Sequence, residues 1–182
     1  MTRRDTADPE AWQLYLQARY HWSRRTEESF RRALESYEAA ALRDPSFALP
    51  QVGIADVLTV QGVSGMRPPL TVFPRALAAV GRAIELNDEL AEAYTSLGHV
   101  RLQFERKWRE GERLYRQSLS MRPNQALGRL LLANCLMMQG RAGEAPTEGQ
   151  RAQAVEPADL TYAANAGMLL TLSRRFDAAY EL

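Results

Sequence analysis

The sequence predicts an all-α fold, a right-handed superhelix of antiparallel helix pairs. Two observations predict it. A short punctuation recurs about every 34 residues, and two amphipathic stretches lie between successive marks. The marks are Asp8-Pro9, Asp44-Pro45, Asn87-Asp88, Arg122-Pro123 and Glu156-Pro157; their second members stand 36, 43, 35 and 34 residues apart. Proline lacks an amide donor and disfavours helix in the residue before it, so each proline mark closes one helical pattern.

The marks divide 1–182 into a single array of units at 10–45, 46–88, 89–123, 124–157 and 158–182, the last incomplete. In the first unit Phe30, Ala33, Leu34, Tyr37 and Ala41 recur at three- and four-residue spacing, one face of a helix. Leu77, Val80, Ala83 and Ile84 repeat that face in the second unit, and Leu114, Tyr115, Ser118 and Leu119 in the third. The second unit is about nine residues longer than the period, and its glycines with Pro68 and Pro69 predict a loop over 61–73. Small residues recur 12 and five positions before each mark: Ala33 and Ala40, Ala76 and Ala83, Gly111 and Ser118, Ala145 and Ala152. Small side chains there let two helix backbones approach closely. The fifth unit stops at Leu182 inside its second helix, so the array reads as a fragment lacking a polar capping helix.

Composition narrows the function. The chain has 182 residues, 46% of them apolar and 25% charged, enough for a real core. Net charge is +1, and the arginines are spread among glutamates and aspartates, so no global field favours nucleic acid or an anionic membrane. The arginine pairs Arg3-Arg4, Arg24-Arg25, Arg31-Arg32 and Arg174-Arg175 read as solvated faces, and direct nucleic-acid binding is not expected. Cys135, the single cysteine, excludes an internal disulfide and a cysteine-based zinc site, and reads as a buried inert thiol. The most apolar stretch, 130–138, is too short to span a bilayer, which needs roughly 20 residues, so no membrane insertion is expected. The N-terminus lacks a signal-peptide core. A soluble, cytoplasmic segment is the expectation. Phosphate loops, nucleophile elbows and metal-ligand spacings are absent, so no enzyme activity, no cofactor and no metal are expected.

The residue pattern resembles the tetratricopeptide repeat, whose first helix carries a large residue, then Leu-Gly, then an aromatic residue. The third unit matches best, with Tyr94, Leu97, Gly98, Gly111, Tyr115, Ser118 and Pro123. The fourth follows with Leu132, Ala133, Leu136, Gly140, Ala145, Ala152 and Pro157, and the fifth with Ala163, Ala166, Gly167, Leu170, Phe176 and Ala179. In the first unit Arg19 stands where the family has a small residue. Segment 15–29 (YLQARYHWSRRTEES) looks like the opening repeat of helical domains in larger bacterial signalling proteins: CadC-like winged-helix regulators, or proteins with a cyclase or serine/threonine kinase domain. None of the motifs of those effector domains is present. The resemblance implies a regulatory scaffold that binds a protein or peptide partner, or another domain of its parent chain.

The resemblance also implies a concave groove lined by the first helix of each unit. By repeat position the groove residues are Val52, Asp56 and Thr59; Thr95, His99 and Leu102; Leu130, Asn134 and Met137; and Ala164, Met168 and Thr171. Asn134 and Asn165 stand where peptide-clamping family members place two asparagines, whose amides both donate and accept. Leu130 occupies a position where such clamps carry lysine, so a carboxylate clamp is not expected. His99, beside Thr95, is a pH-sensing or ligand-bonding candidate; His21 reads as packing the N-terminal pair. Met137 and Met168 read as groove, Met138 as core. Two alternatives stand beside the scaffold reading: a small-ligand sensor using His99, Asn134 and the methionines, and a homodimer formed through the truncated fifth unit.

Overall fold

The computed structural model describes residues 6–180; Arg3, Arg4 and the last two residues, where the fifth unit was expected to stop, lie outside them. The described residues form helices in five successive pairs and no strand. The first pair is α1 (Pro9–Ser23) and α2 (Glu27–Arg43), the second α3 (Ala48–Val63) and α4 (Pro69–Leu86), the third α5 (Ala91–Glu105) and α6 (Trp108–Met121). The fourth is α7 (Ala126–Met138) and α8 (Ala145–Val155), and the fifth α9 (Leu160–Leu172) and α10 (Phe176–Tyr180).

The punctuation residues work as caps. At the start of α1 the Asp8 carboxylate accepts from the Glu10 and Ala11 amides at 2.8 and 3.1 Å, with Pro9 at the first helical position, where its missing N–H costs nothing. The same turn, a side-chain oxygen accepting from the amide two residues on, recurs between pairs: Asp44 from Ser46, Asn87 from Glu89, and Asp159 from Thr161. Inside the first pair, Thr26 and Ser29 form a reciprocal capping box that starts α2.

Each helix packs on its hairpin partner, each second helix packs on the next first helix, and successive first helices also touch. First helices therefore run parallel, side by side, and all their C-terminal ends lie along one edge. Ala33, Ala40, Ala76, Ala83, Ala145 and Ala152 are fully buried, as is Ser118, so the predicted small positions are where backbones meet. At Gly98 an added Cβ would lie 2.9 Å from the Tyr115 ring and 3.2 Å from the Gly111 carbonyl oxygen, which leaves no room for a side chain. Trp12, Tyr15, Tyr37 and Phe47 form a chain of ring contacts that joins the first pair to the second.

Three expectations are corrected. The loop of the second unit is 64–68 rather than 61–73. Pro68 and Pro69 open α4 instead of prolonging the loop, and Val72 and Phe73 turn inward against Gly62. The small residue of α1 is Ala18, fully buried, while Arg19 beside it is exposed, so nothing is missing from that helix. Met138 is 58% exposed and Met137 is the half-buried neighbour packed into the core, the reverse of the assignment from sequence. Cys135 is buried, and burial pushes its thiol up.

Candidate functional site

Four first helices share a register. The ninth residue of α3, α5, α7 and α9 is Asp56, His99, Asn134 and Met168, respectively. These residues form one stripe running along the stacked first helices, changing from acidic to polar to apolar. Arg19 of α1 flanks its acidic end. The guanidinium of Arg25, in the α1–α2 turn, acts on Asp56 of α3 and also on Asp159 and Tyr162 at the start of α9.

Asp56 and His99 are only partly exposed, and desolvation dominates both. Burial pushes the Asp56 carboxyl up to about 6, against the opposing hydrogen bond from Ser96 and the positive charge of Arg25; Glu92 reinforces the rise. The Ser96 hydroxyl donates to Asp56 Oδ1 at 2.5 Å, linking α5 to α3. Burial alone pushes the His99 imidazole down to about 4, and its Nε2 lies 3.4 Å from the Gln103 amide nitrogen. Near neutral pH the stripe therefore carries a carboxylate beside a neutral imidazole. Glu92, second residue of α5, pairs through Oε1 with Arg122 and leaves a buried Oε2 without a partner. Asn134 is half-buried, and its side chain makes no hydrogen bond to a described residue. Its amide is free to donate and accept.

The other candidates fall elsewhere. Thr95 is 2% exposed and faces the adjacent layer, where its hydroxyl joins Ser118 and Gln125 at 2.7 Å. Leu130 is 8% exposed and Leu102 3%; both are core. The fifth residue of α3, α5 and α7 is taken up in packing, which is why Val52, Thr95 and Leu130 are all buried; its counterpart in α9, Ala164, is exposed. Asn165 is the sixth residue of α9, so it corresponds to Leu131 and not to Asn134. Its amide donates to the Thr161 carbonyl of its own helix at 2.7 Å, and the two asparagines do not form a matched pair. Met168 is 47% exposed at the apolar end of the stripe, whereas Met137, the twelfth residue of α7, is out of that register and packs half-buried against the core. Sequence reasoning missed Ser96 and Glu92. The signal for both was available, since each lies on the same first helix as His99 within two turns. Among the described residues no three His, Cys, Asp or Glu are placed to hold a metal, and no helix is long and apolar enough to cross a membrane.

No protein-family model and no curated protein matches the chain. Solved structures do. TTC0263, a thermophilic TPR protein of Thermus thermophilus, superposes with a TM-score of 0.75 over 90% of this chain and 82% of its own, at 19% identity. YrrB, described as a TPR protein with an unusual peptide-binding site, matches at 0.51 over 98% of this chain and 84% of its own, at 20% identity. The first TPR of Spaghetti (RPAP3), bound to the HSP90 peptide SRMEEVD, matches at 0.56 over 76% of this chain and 99% of its own, at 17% identity. At such identities the likeness speaks to architecture: the chain has the tetratricopeptide-repeat fold, a solenoid of antiparallel helix pairs.

Proposed function

We propose that this chain is a protein-interaction module that holds a peptide or partner segment along the stripe Asp56, His99, Asn134 and Met168. The observation that carries the reading is the stripe itself. Side chains able to bond a backbone stand at one register of parallel helices, and Asn134 has an unused amide. Two of the similar folds, YrrB and Spaghetti, are described with a peptide-binding site or a bound peptide, which favours the same use here. The resemblance of segment 15–29 to domains of larger bacterial signalling proteins supports a regulatory role, with the partner segment supplied by another protein or by a neighbouring domain of the parent chain.

The test is selection of peptides from a displayed random library on the folded chain, followed by affinity measurement by fluorescence anisotropy. Asn134→Ala and Met168→Ala are expected to weaken the selected peptides about tenfold each, corresponding to roughly 1.4 kcal/mol. Arg32→Gln, on the outer helix layer, should leave affinity unchanged. A library that yields no binder, or binders indifferent to both groove substitutions, contradicts the proposal.

A further inference from the structure

In the middle of each first helix a small residue, Ala18, Ala55, Gly98, Ala133 or Gly167, is followed at once by Arg19, Asp56, His99, Asn134 or Met168. Arg19 therefore belongs to the stripe by register, and the order along it is cation, carboxylate, imidazole, amide, thioether. Arg19 is exposed, Asp56, His99 and Asn134 are half-buried, and Met168 is 47% exposed. None of the five is sealed in the core.

The two charges at one end are not paired with each other. Neither Arg19 nor Asp56 is in a salt bridge with a described residue, although α1 and α3 touch. Ser96 holds Asp56 through Oδ1, and Oδ2 has no described partner. Arg19 bonds Tyr15 and feels the charge of Glu92. The other charged groups that act on Asp56 are Arg25 and Glu92. The Arg25 guanidinium lies over the Trp22 ring, 4.2 Å from its centre, and Glu92 is tied to Arg122. Burial thus penalises the Asp56 carboxylate with no cation in contact to offset it. A partner cation set against the open oxygen supplies that contact.

The amide of Asn134 adds a second condition. A helical partner satisfies its own backbone groups, whereas an extended segment leaves N–H and C=O for a side-chain amide to bond. Successive first helices touch, and helices in contact lie about 8–10 Å apart. An extended chain advances about 3.1–3.4 Å per residue. One helix step therefore takes about three residues, and the three steps from Asp56 to Met168 take about eight or nine.

We propose that the partner is an extended segment with a fixed order of side chains: a lysine or arginine against Asp56, an acidic residue about three places to one side against Arg19, and an apolar residue about eight or nine places to the other against Met168. This rests on the stripe being the binding surface. Opposite charges on adjacent helices also fix the register. Sliding the segment by one helix step brings its cation onto Arg19 or its acid onto Asp56, and like charges repel.

A displayed random peptide library panned in parallel on the parent, on Asp56→Asn and on Arg19→Glu tests this. Binders selected on the parent should carry the acid and the base about three places apart, with the apolar residue beyond the base. The Asp56→Asn pool should lose the preference for lysine or arginine and keep the apolar residue. The Arg19→Glu pool should replace the acid with a base. For one peptide from the parent pool, replacing its lysine or arginine by glutamine should weaken binding about tenfold on the parent and hardly at all on Asp56→Asn, by fluorescence anisotropy. Circular dichroism checks that both variants are folded; Arg19 is exposed and Asn keeps the acceptor for Ser96. Binders that weaken on Asn134→Ala and Met168→Ala but show no charge preference overturn this order of side chains and leave the binding surface standing. A library without binders overturns both. Binders with acids against Asp56, or binders that gain helicity on the chain, overturn the proposal in favour of an anionic or a helical partner.

Discussion

Asp56→Asn should stabilise this protein near neutral pH and do nothing useful in acid. The Asp56 carboxyl rises from 3.8 to about 6 in the folded state, chiefly through burial. A difference of about two pH units corresponds to about 3 kcal/mol of preference for the neutral form. Because the folded-state value is raised, this cost is absent below the unfolded value near 3.8, grows between about 4 and 6, and is complete above about 6. Asparagine removes the charge while its Oδ1 still accepts from Ser96, at a loss of about 1 kcal/mol for a neutral rather than charged acceptor. The net gain is about 2 kcal/mol near pH 7.5 and about zero or slightly negative near pH 4. Urea unfolding of both proteins at the two pH values measures it directly. Equal destabilisation at both would show that the carboxylate is well solvated or well paired, and the reasoning about the groove floor would fail. Persistence of the ionised group despite its cost is what a binding surface requires, and what a purely structural residue does not.

Three further outcomes follow from the same structure. His99 has its pKa lowered to about 4 by burial, so it penalises the folded state progressively as pH falls from about 6.5 to 4. His99→Gln, unable to charge, should therefore lose less stability than the parent between about pH 7 and pH 4, by up to about 3 kcal/mol in urea unfolding. An unchanged pH profile would contradict this. Gly53→Ala and Gly81→Ala should differ in sign. An added Cβ at Gly53 lies 2.4 Å from the buried Tyr37 ring and should cost about 2 kcal/mol, whereas Gly81 faces open space inside a helix and should gain about 0.5–1 kcal/mol. Thermal melts that rank the two the other way would refute the packing. Arg106→Gly should raise stability by about 0.5–1 kcal/mol, the left-handed penalty of about 1–2 less the entropy that glycine costs; a clear loss would mean that the turn is not held at positive φ.

The helix pairs were legible in the sequence because the punctuation is chemical. Asp8, Asp44 and Asn87, from three of the marks, each bond an amide two residues on, and the small residues at fixed offsets are those whose size the packing requires. The loop of the second unit was misjudged because Pro68 and Pro69 signal a break and a helix start equally well, and only the burial of Val72 and Phe73 decides between them. Asp56, His99, Asn134 and Met168 share the ninth position of α3, α5, α7 and α9. Thr95 and Leu130 are buried instead, because the fifth position is filled by packing contacts that periodicity does not reveal, Thr95 bonding Ser118 of α6. Asn165 was separable by counting alone, since it follows Asn134 by 31 residues while α7 and α9 begin 34 apart.

The most direct test of the account is backbone amide NMR of the chain titrated with a peptide selected on it. Shifts are predicted to trace one path through Asp56, Ser96, His99, Asn134 and Met168, leaving Arg32, Arg82 and Arg116 of the outer helices unmoved. Shifts confined to the outer helices, or scattered with no common register on α3, α5, α7 and α9, would contradict it.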